Sequence, residues 1–179
     1  MFKSLAKKIH TITFIGGGNG THVGAALCSI NPNIKTQILT RKKNQWNNKL
    51  KLTLPNNSVL SNLHIDKIEN CPSKVIPSSD IIIISSPVHT YPEILDNITP
   101  WLTKGSMIGT LFCQGHVGLM IARALEKQNL NINNYTIFGI KYIPWQSKII
   151  NYGQWGHLVG KKKYLNVATL PSGRFNMVA

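Results

Sequence analysis

Acidic side chains are scarce in this sequence. Its 179 residues hold 6 Asp and Glu against 20 Lys and Arg, and no carboxylate precedes Asp66. The resulting formal net charge of +14 favours anionic partners: nucleotides, nucleic acid or an acidic subunit. Heavy use of Asn, Ile and Lys offers a plainer compositional explanation, so the charge is supporting information only. Long apolar runs are also missing. None approaches the ~20 residues of a membrane-spanning helix. Cysteine is limited to Cys28, Cys71 and Cys113, with no CxxC pair, which excludes a disulfide framework and points to reduced thiols. The six histidines form no HxxxH and no cluster with cysteine, so no metal site is expected. The basic lead over residues 1–10 lacks a secretory core and a small-residue cleavage site, which points to the cytoplasm. No repeat or low-complexity segment is visible.

What remains is enough for one full core. The hydrophobic fraction of 42% lies in the globular range, so a single domain over residues 1–179 is expected, ending in a loop at 171–179. Its most informative stretch is TITFIGGGNGTHVG, Thr11 to Gly24. An apolar strand runs into Gly16-Gly17-Gly18-Asn19-Gly20, and small and apolar residues follow at helical spacing: Val23, Ala26, Leu27, Ile30. In a dinucleotide-binding unit the first glycine turns the chain off the strand. The second lets the backbone approach a pyrophosphate, which the helix N-terminus then holds. Gly16 and Gly18 suit those roles. The third motif position falls on Thr21, whose hydroxyl offers a donor to a phosphate. The alternative is a glycine-rich turn without a ligand, but the strand–turn–helix context favours binding.

Strand and helix then alternate. TQILT (36–40) reads as a strand, Leu50, Leu52 and Leu54 alternate along another, and a short strand is expected near 60–65, which together suggest a hairpin insertion. Ile81 to Ile84 suit a strand covered on both faces. A helix is expected over 91–102, a strand over 106–113, a helical stripe through Val117, Met120, Ile121, Ala124 and Leu125, and a strand over 135–140. This order marks an α/β fold with a doubly wound, mostly parallel sheet of the Rossmann type. Beyond Pro144-Trp145 the pattern changes. A helical turn is expected at 147–151, then two strands, 157–160 and 164–169, around a Lys161-Lys162-Lys163 corner.

The end of the second strand bears on the cofactor. An NAD-binding unit usually places a carboxylate there to accept from the ribose 2′-OH. Here the position falls at Thr40 and Arg41, with Lys42 and Lys43 beside them. A guanidinium pairs with a phosphate through two parallel hydrogen bonds, which favours NADP(H) while leaving NAD(H) open. A solvated basic loop is the alternative. Ser85-Ser86-Pro87 ends the isoleucine strand, on the edge that faces the ligand crevice. Either it lets the cofactor ribose approach, or it is a plain turn. His116, after Cys113-Gln114-Gly115, is a proton-donor candidate on the same edge, although a polar first-turn residue explains it as well.

With these residues in place, the chain resembles the N-terminal domain of the octopine/nopaline (opine) dehydrogenase family. GGGNGTHVGAAL is similar to the family's glycine loop, where Asn follows the glycines and His comes shortly after. LTRKKNQW resembles its second strand and basic loop, and IIIISSPVHTYPEILDNITPWL its strand–Pro–helix segment. YIPWQSKIINYGQWGHLVGKKKYLNVATLP is similar to the segment closing its nucleotide domain, and neither fold nor composition requires that likeness. The resemblance implies reduction, with NAD(P)H, of the imine formed by an amino acid and a 2-oxo acid. It implies a helical second domain that supplies the catalytic residues. That domain has no counterpart within residues 1–179, so no catalytic residue is assigned. Relatives of the 2-dehydropantoate reductases or glycerol-3-phosphate dehydrogenases, and a non-catalytic NADP-binding module, are alternatives. A nucleic-acid binder lacks the stacking aromatics such modules use.

Overall fold

The glycine-rich stretch and the isoleucine run become neighbouring strands, and the remaining elements are laid out on either side of them. The computed structural model describes residues 9–113 and 116–178. Most of the basic lead over 1–10, and Gln114-Gly115 of the segment before His116, lie outside the described residues.

Strand β1 (Thr11–Ile15) runs into helix α1 (Asn19–Cys28) and strand β2 (Lys35–Leu39). Then come β3 (Lys49–Thr53), β4 (Val59–His64), β5 (Lys67–Glu69) and β6 (Ile81–Ile84). Helix α2 (Tyr91–Ile98), β7 (Met107–Thr110), α3 (Val117–Lys127) and β8 (Thr136–Ile140) follow. The last strands are β9 (Trp145–Asn151), β10 (Trp155–Lys161) and β11 (Val167–Leu170). The main sheet has seven strands in the order β11-β8-β7-β6-β1-β2-β5. Its pairings are parallel except β11 with β8. From β1 the chain winds outward through β2 to β5. It then returns to β6 and winds the other way to β8. The order therefore reverses between β1 and β6, which opens a crevice at their C-terminal ends.

One face of this sheet is covered by α2 and α3. Tyr91, Leu95 and Ile98 of α2, and Val117, Ile121, Ala124 and Leu125 of α3, pack on Ile82, Ile84 and Ile108. Each fully buried Ile or Leu stabilises the fold by roughly 1.5–3 kcal/mol. The helix expected to reach residue 102 stops at Ile98. Pro100 cannot donate within a helix, and Thr99–Trp101 tighten into a 3-10 turn.

The other face is covered by α1 and, beyond it, a second sheet of order β4-β3-β10-β9. The expected hairpin is β3 with β4, but it does not stand alone, because β10 joins β3 in parallel and β9 extends the other side. Helix α1 is thus held between two sheets, and every residue from Thr21 to Ala26 is buried. Its small side chains follow from that. A Cβ on Gly24 would lie 2.5 Å from the Phe14 ring and 3.1 Å from Trp145.

The expectations for the last third need correction. Residues 147–151 are not a helical turn but part of β9, which pairs antiparallel with β10. The two strands expected around the lysine corner belong to different sheets: β10 to the second, β11 to the edge of the main one. Strand β5 has only three residues and no periodic signal, and was not expected. The loop at 171–179 contains a 3-10 turn, Ser172–Met177, where the Arg174 guanidinium donates to the carbonyls of Tyr135 (2.6 Å) and Asn133. No helix among the described residues is long and apolar enough to cross a membrane.

Candidate functional site

The crevice between β1 and β6 is built mostly from backbone. Gly16 leaves β1 with φ +137°, and its N–H donates to Leu39 O at 3.0 Å. A Cβ there would meet Ser85 O at 2.6 Å, so only glycine lets the two strand ends approach this closely. Ser85 N–H and the Ser86 hydroxyl both donate to Ile15 O, at 2.8 and 3.3 Å, and tie the end of β6 to the loop. Gly18 begins α1 in an extended conformation. No side chain caps the helix, and its first turn holds no acid. A Cβ on Gly18 would find nothing within 4 Å. The uncapped N–H groups of α1 therefore border open space, which suits an anion.

Two cavities meet at Gly18. The first, of about 390 Å³, lies between the glycine loop, the end of β2 and α2. It is lined by Gly16 to Gly18, Thr40 to Lys42, Ser85 to Pro87, and Glu93 and Asn97 of α2, among others. The second, of about 570 Å³, extends from Gly18 to Gly20 across Ser85 to Val88 towards Tyr91, Phe112, Trp145 and Gln146. Two cavities joined over a bare helix N-terminus have the layout of a dinucleotide: one for each nucleoside, the phosphates between. The residues present fit such a group.

Most of the expected binding residues meet here. Gly16, Thr40 and Arg41 line the first cavity, Asn19 and Gly20 the second, and Gly18, Ser85, Ser86 and Pro87 both. Thr21 is a correction: it is fully buried, lies outside both linings, and its hydroxyl has no partner among the described residues. Close packing at the start of α1 falls to Gly20 instead, where a Cβ would lie 2.5 Å from Ser85 Oγ. His116 is exposed at the start of α3 with φ +60° and lines neither cavity. Asn19 has a further task, because its Oδ1 accepts from Ile149 N–H at 2.9 Å and fastens α1 to β9.

Chain order hid one carboxylate. Glu69 on β5 lies in register with Leu39, beside the end of β2. It is already engaged, 2.8 Å from Lys43 Nζ and 3.8 Å from Lys74 Nζ. The hydrogen bond from Lys43 holds its carboxyl below the usual range. Glu69 is not in the first cavity, whose lining carboxylate is Glu93, on α2 rather than β2.

Chain order also hid two aromatic residues and the role of a third. His22 on α1 is fully buried. Gly153 N–H donates to its Nε2 at 2.7 Å, so Nε2 is an acceptor, and Nδ1–H donates to Gly18 O at 2.9 Å. Burial pushes the imidazole's pKa below its ordinary value, which keeps it neutral in this arrangement. Trp46 and Tyr152 pack on it, with ring centroids 4.2 and 5.1 Å away. Tyr152 also lines the first cavity. A usable signal was the Tyr-Gly pair at 152–153, which marks a turn between two strands once 147–151 is taken as extended.

No family model matches the chain. An opine dehydrogenase from Haliotis discus hannai is 27% identical over 164 residues, covering 84% of this chain and 40% of the relative. The chain resembles the N-terminal part of an opine dehydrogenase. A solved octopine dehydrogenase carrying NADH and L-arginine has the same fold, with TM-score 0.81 at 17% identity over 89% of this chain and 41% of its own. The 2-dehydropantoate 2-reductase of Geobacter metallireducens GS-15 matches at TM-score 0.65 and 16% identity, over 94% of this chain and 53% of its own. This chain thus spans about 40% of the opine dehydrogenase's length.

Proposed function

We propose that this chain is the cofactor-binding domain of an opine-dehydrogenase-like oxidoreductase, binding NADP(H) in preference to NAD(H). The observation that carries the reading is Gly18. It sits at the reversal of strand order, at the bare start of α1, with open space where a side chain would be and a cavity on either side. The resemblance to opine dehydrogenase supports the substrate class: an amino acid and a 2-oxo acid, whose imine is reduced to a secondary amine. The pantoate reductase alternative has the weaker structural match, 0.65 against 0.81. A bound reduced nicotinamide supplies the hydride. This chain's residues bind and orient: the glycine loop and the N-terminus of α1 hold the pyrophosphate, and Ser85 to Pro87 adjoin the riboses. Three free cysteines support a cytoplasmic location.

The preference for NADP(H) rests on Arg41 and Lys42, which line the first cavity while Glu69 is paired with Lys43. A charge-assisted hydrogen bond contributes roughly 1.5–3 kcal/mol. Titration at fixed ionic strength is expected to show NADPH binding on the order of tenfold to a hundredfold tighter than NADH. Arg41→Ala should remove most of that difference and leave NADH nearly unchanged. A parent that prefers NADH, or equal losses for both, would show that Arg41 does not contact the 2′ position.

A further inference from the structure

One wall of the first cavity comes from the second sheet. Tyr152 stands in the turn between β9 and β10, and its hydroxyl occupies the place a Gly17 side chain would take. Thr40 Oγ1 lies 3.3 Å from that same point. The glycine loop, the end of β2 and the second sheet therefore converge beside Arg41 and Lys42.

The phenol is held firmly. Its ring packs edge-on against His22 and against Trp46, at 5.1 and 5.8 Å between centroids. Lys42 Nζ lies 5.3 Å from the ring centroid. The turn's backbone is anchored twice, by Gly153 N–H on His22 Nε2 at 2.7 Å and by Asn47 N–H on Gly153 O at 2.8 Å. Gly153 has φ +68°, and a Cβ there would collide with the Gln45 carbonyl, so the turn is docked too closely for any other residue. The hydroxyl itself makes no hydrogen bond to the described residues. A fixed phenol thus shares this cavity with two cationic side chains, Arg41 and Lys42, while the one lining carboxylate, Glu93, comes from α2.

On the reading of this cavity as the adenosine end of a dinucleotide site, we propose that Tyr152 is a specificity-determining cofactor contact, its hydroxyl donating to the 2′-phosphate. Arg41 and Lys42 supply the charge, and Tyr152 supplies a rigid neutral donor that fixes the phosphate against the glycine loop. The bond to a charged 2′-phosphate is the stronger, charge-assisted one, whereas a 2′-hydroxyl offers only a neutral partner, so it discriminates between the two dinucleotides.

The test is Tyr152→Phe, which keeps the ring packed on His22 and Trp46 and removes only the oxygen. Titrations with NADPH, NADH, 2′,5′-ADP and 5′-AMP are run on parent and variant, with thermal midpoints as the check on folding. The expected result is an unchanged midpoint, a loss of about tenfold to a hundredfold for NADPH and 2′,5′-ADP, and a change within about twofold for NADH and 5′-AMP. NADPH binding at parental strength in the variant, or equal losses for NADH, would overturn the assignment of Tyr152 while leaving the dinucleotide site in place. A parent that binds neither dinucleotide would overturn the site itself.

Discussion

His22 joins two parts of the molecule that the chain keeps far apart. One ring nitrogen donates to Gly18 O, and the other accepts from Gly153 N–H. The second bond needs the neutral ring, because a protonated imidazole still donates to Gly18 O but has no acceptor to offer Gly153. Burial lowers the pKa of His22 in the folded state relative to its ordinary 6.5. Above pH about 6.5 the residue is neutral in both folded and unfolded chains, and its contribution is constant. As pH falls below that value the unfolded chain takes up a proton that the folded chain resists, so stability declines until the folded-state pKa is passed. The loss is ~1.4 kcal/mol for each unit separating the two values. Urea midpoints at pH 8, 6 and 5 should fall for the parent before the carboxylates begin to titrate. His22→Gln should be less stable at pH 8 and flat across this window. A parent with no slope between pH 6.5 and 5 would mean that His22 is not held neutral. Thiol reactivity follows similar physics: burial pushes Cys28 up to about 11, and the Ser73 hydroxyl, 3.1 Å from Cys71 Sγ, holds that thiol down.

Helix α1 shows which elements a sequence declares and which it hides. The glycine loop, β6 and the stripe of α3 were legible because each is a local pattern: turn residues after a strand, a β-branched run, apolar residues one turn apart. α1 is legible as a helix, but the second layer that its burial requires is not. A helix buried all round needs a second layer, and that layer is β3, β4, β9 and β10. Its central pairing, β10 with β3, joins residues far apart in the chain, such as Trp155 with Lys51, and no local pattern reports it. β9 carries no local strand signal for a related reason: Ile149-Ile150 breaks strict alternation, so tertiary pairing with β10 decides. Tyr152 went unseen because its turn exists only once β9 and β10 are paired. The two glycines of this segment should therefore fail differently. Gly18→Val adds a side chain to open space and should leave the urea midpoint within error while abolishing NADPH binding. Gly24→Val drives a side chain into Phe14 and Trp145 and should destabilise by about 1–3 kcal/mol. Retained NADPH binding by a folded Gly18→Val protein would remove the phosphate from that spot.

At the scale of the whole molecule, the scarcity of carboxylates has a structural side. Asp80 accepts from the N–H groups of His10 and Thr11, and Asp66 from that of Thr36, so these two anchor the starts of β1 and β2. Glu69 and Asp96 pair with Lys43 and Lys127. The excess of cations raises the local concentration of an anionic cofactor. The second cavity is different. Among its described lining residues none is Lys, Arg, His, Asp or Glu, and the titratable group is Tyr91, whose phenol burial pushes above its ordinary 10. On the function proposed above, the substrates, an amino acid and a 2-oxo acid, both carry carboxylates, and reducing their imine also requires a proton donor. The described lining holds no cation for the former, and its one titratable group, Tyr91, is shifted away from neutral pH for the latter. The purified chain is therefore expected to bind NADPH, raising its thermal midpoint with ligand concentration as mass action requires. With pyruvate or 2-oxoglutarate and any amino acid, NADPH oxidation followed at 340 nm should stay at the rate of a protein-free control. Turnover above that control would show that the chain supplies its own proton donor. Its loss in Tyr91→Phe or His116→Ala would say which residue that is.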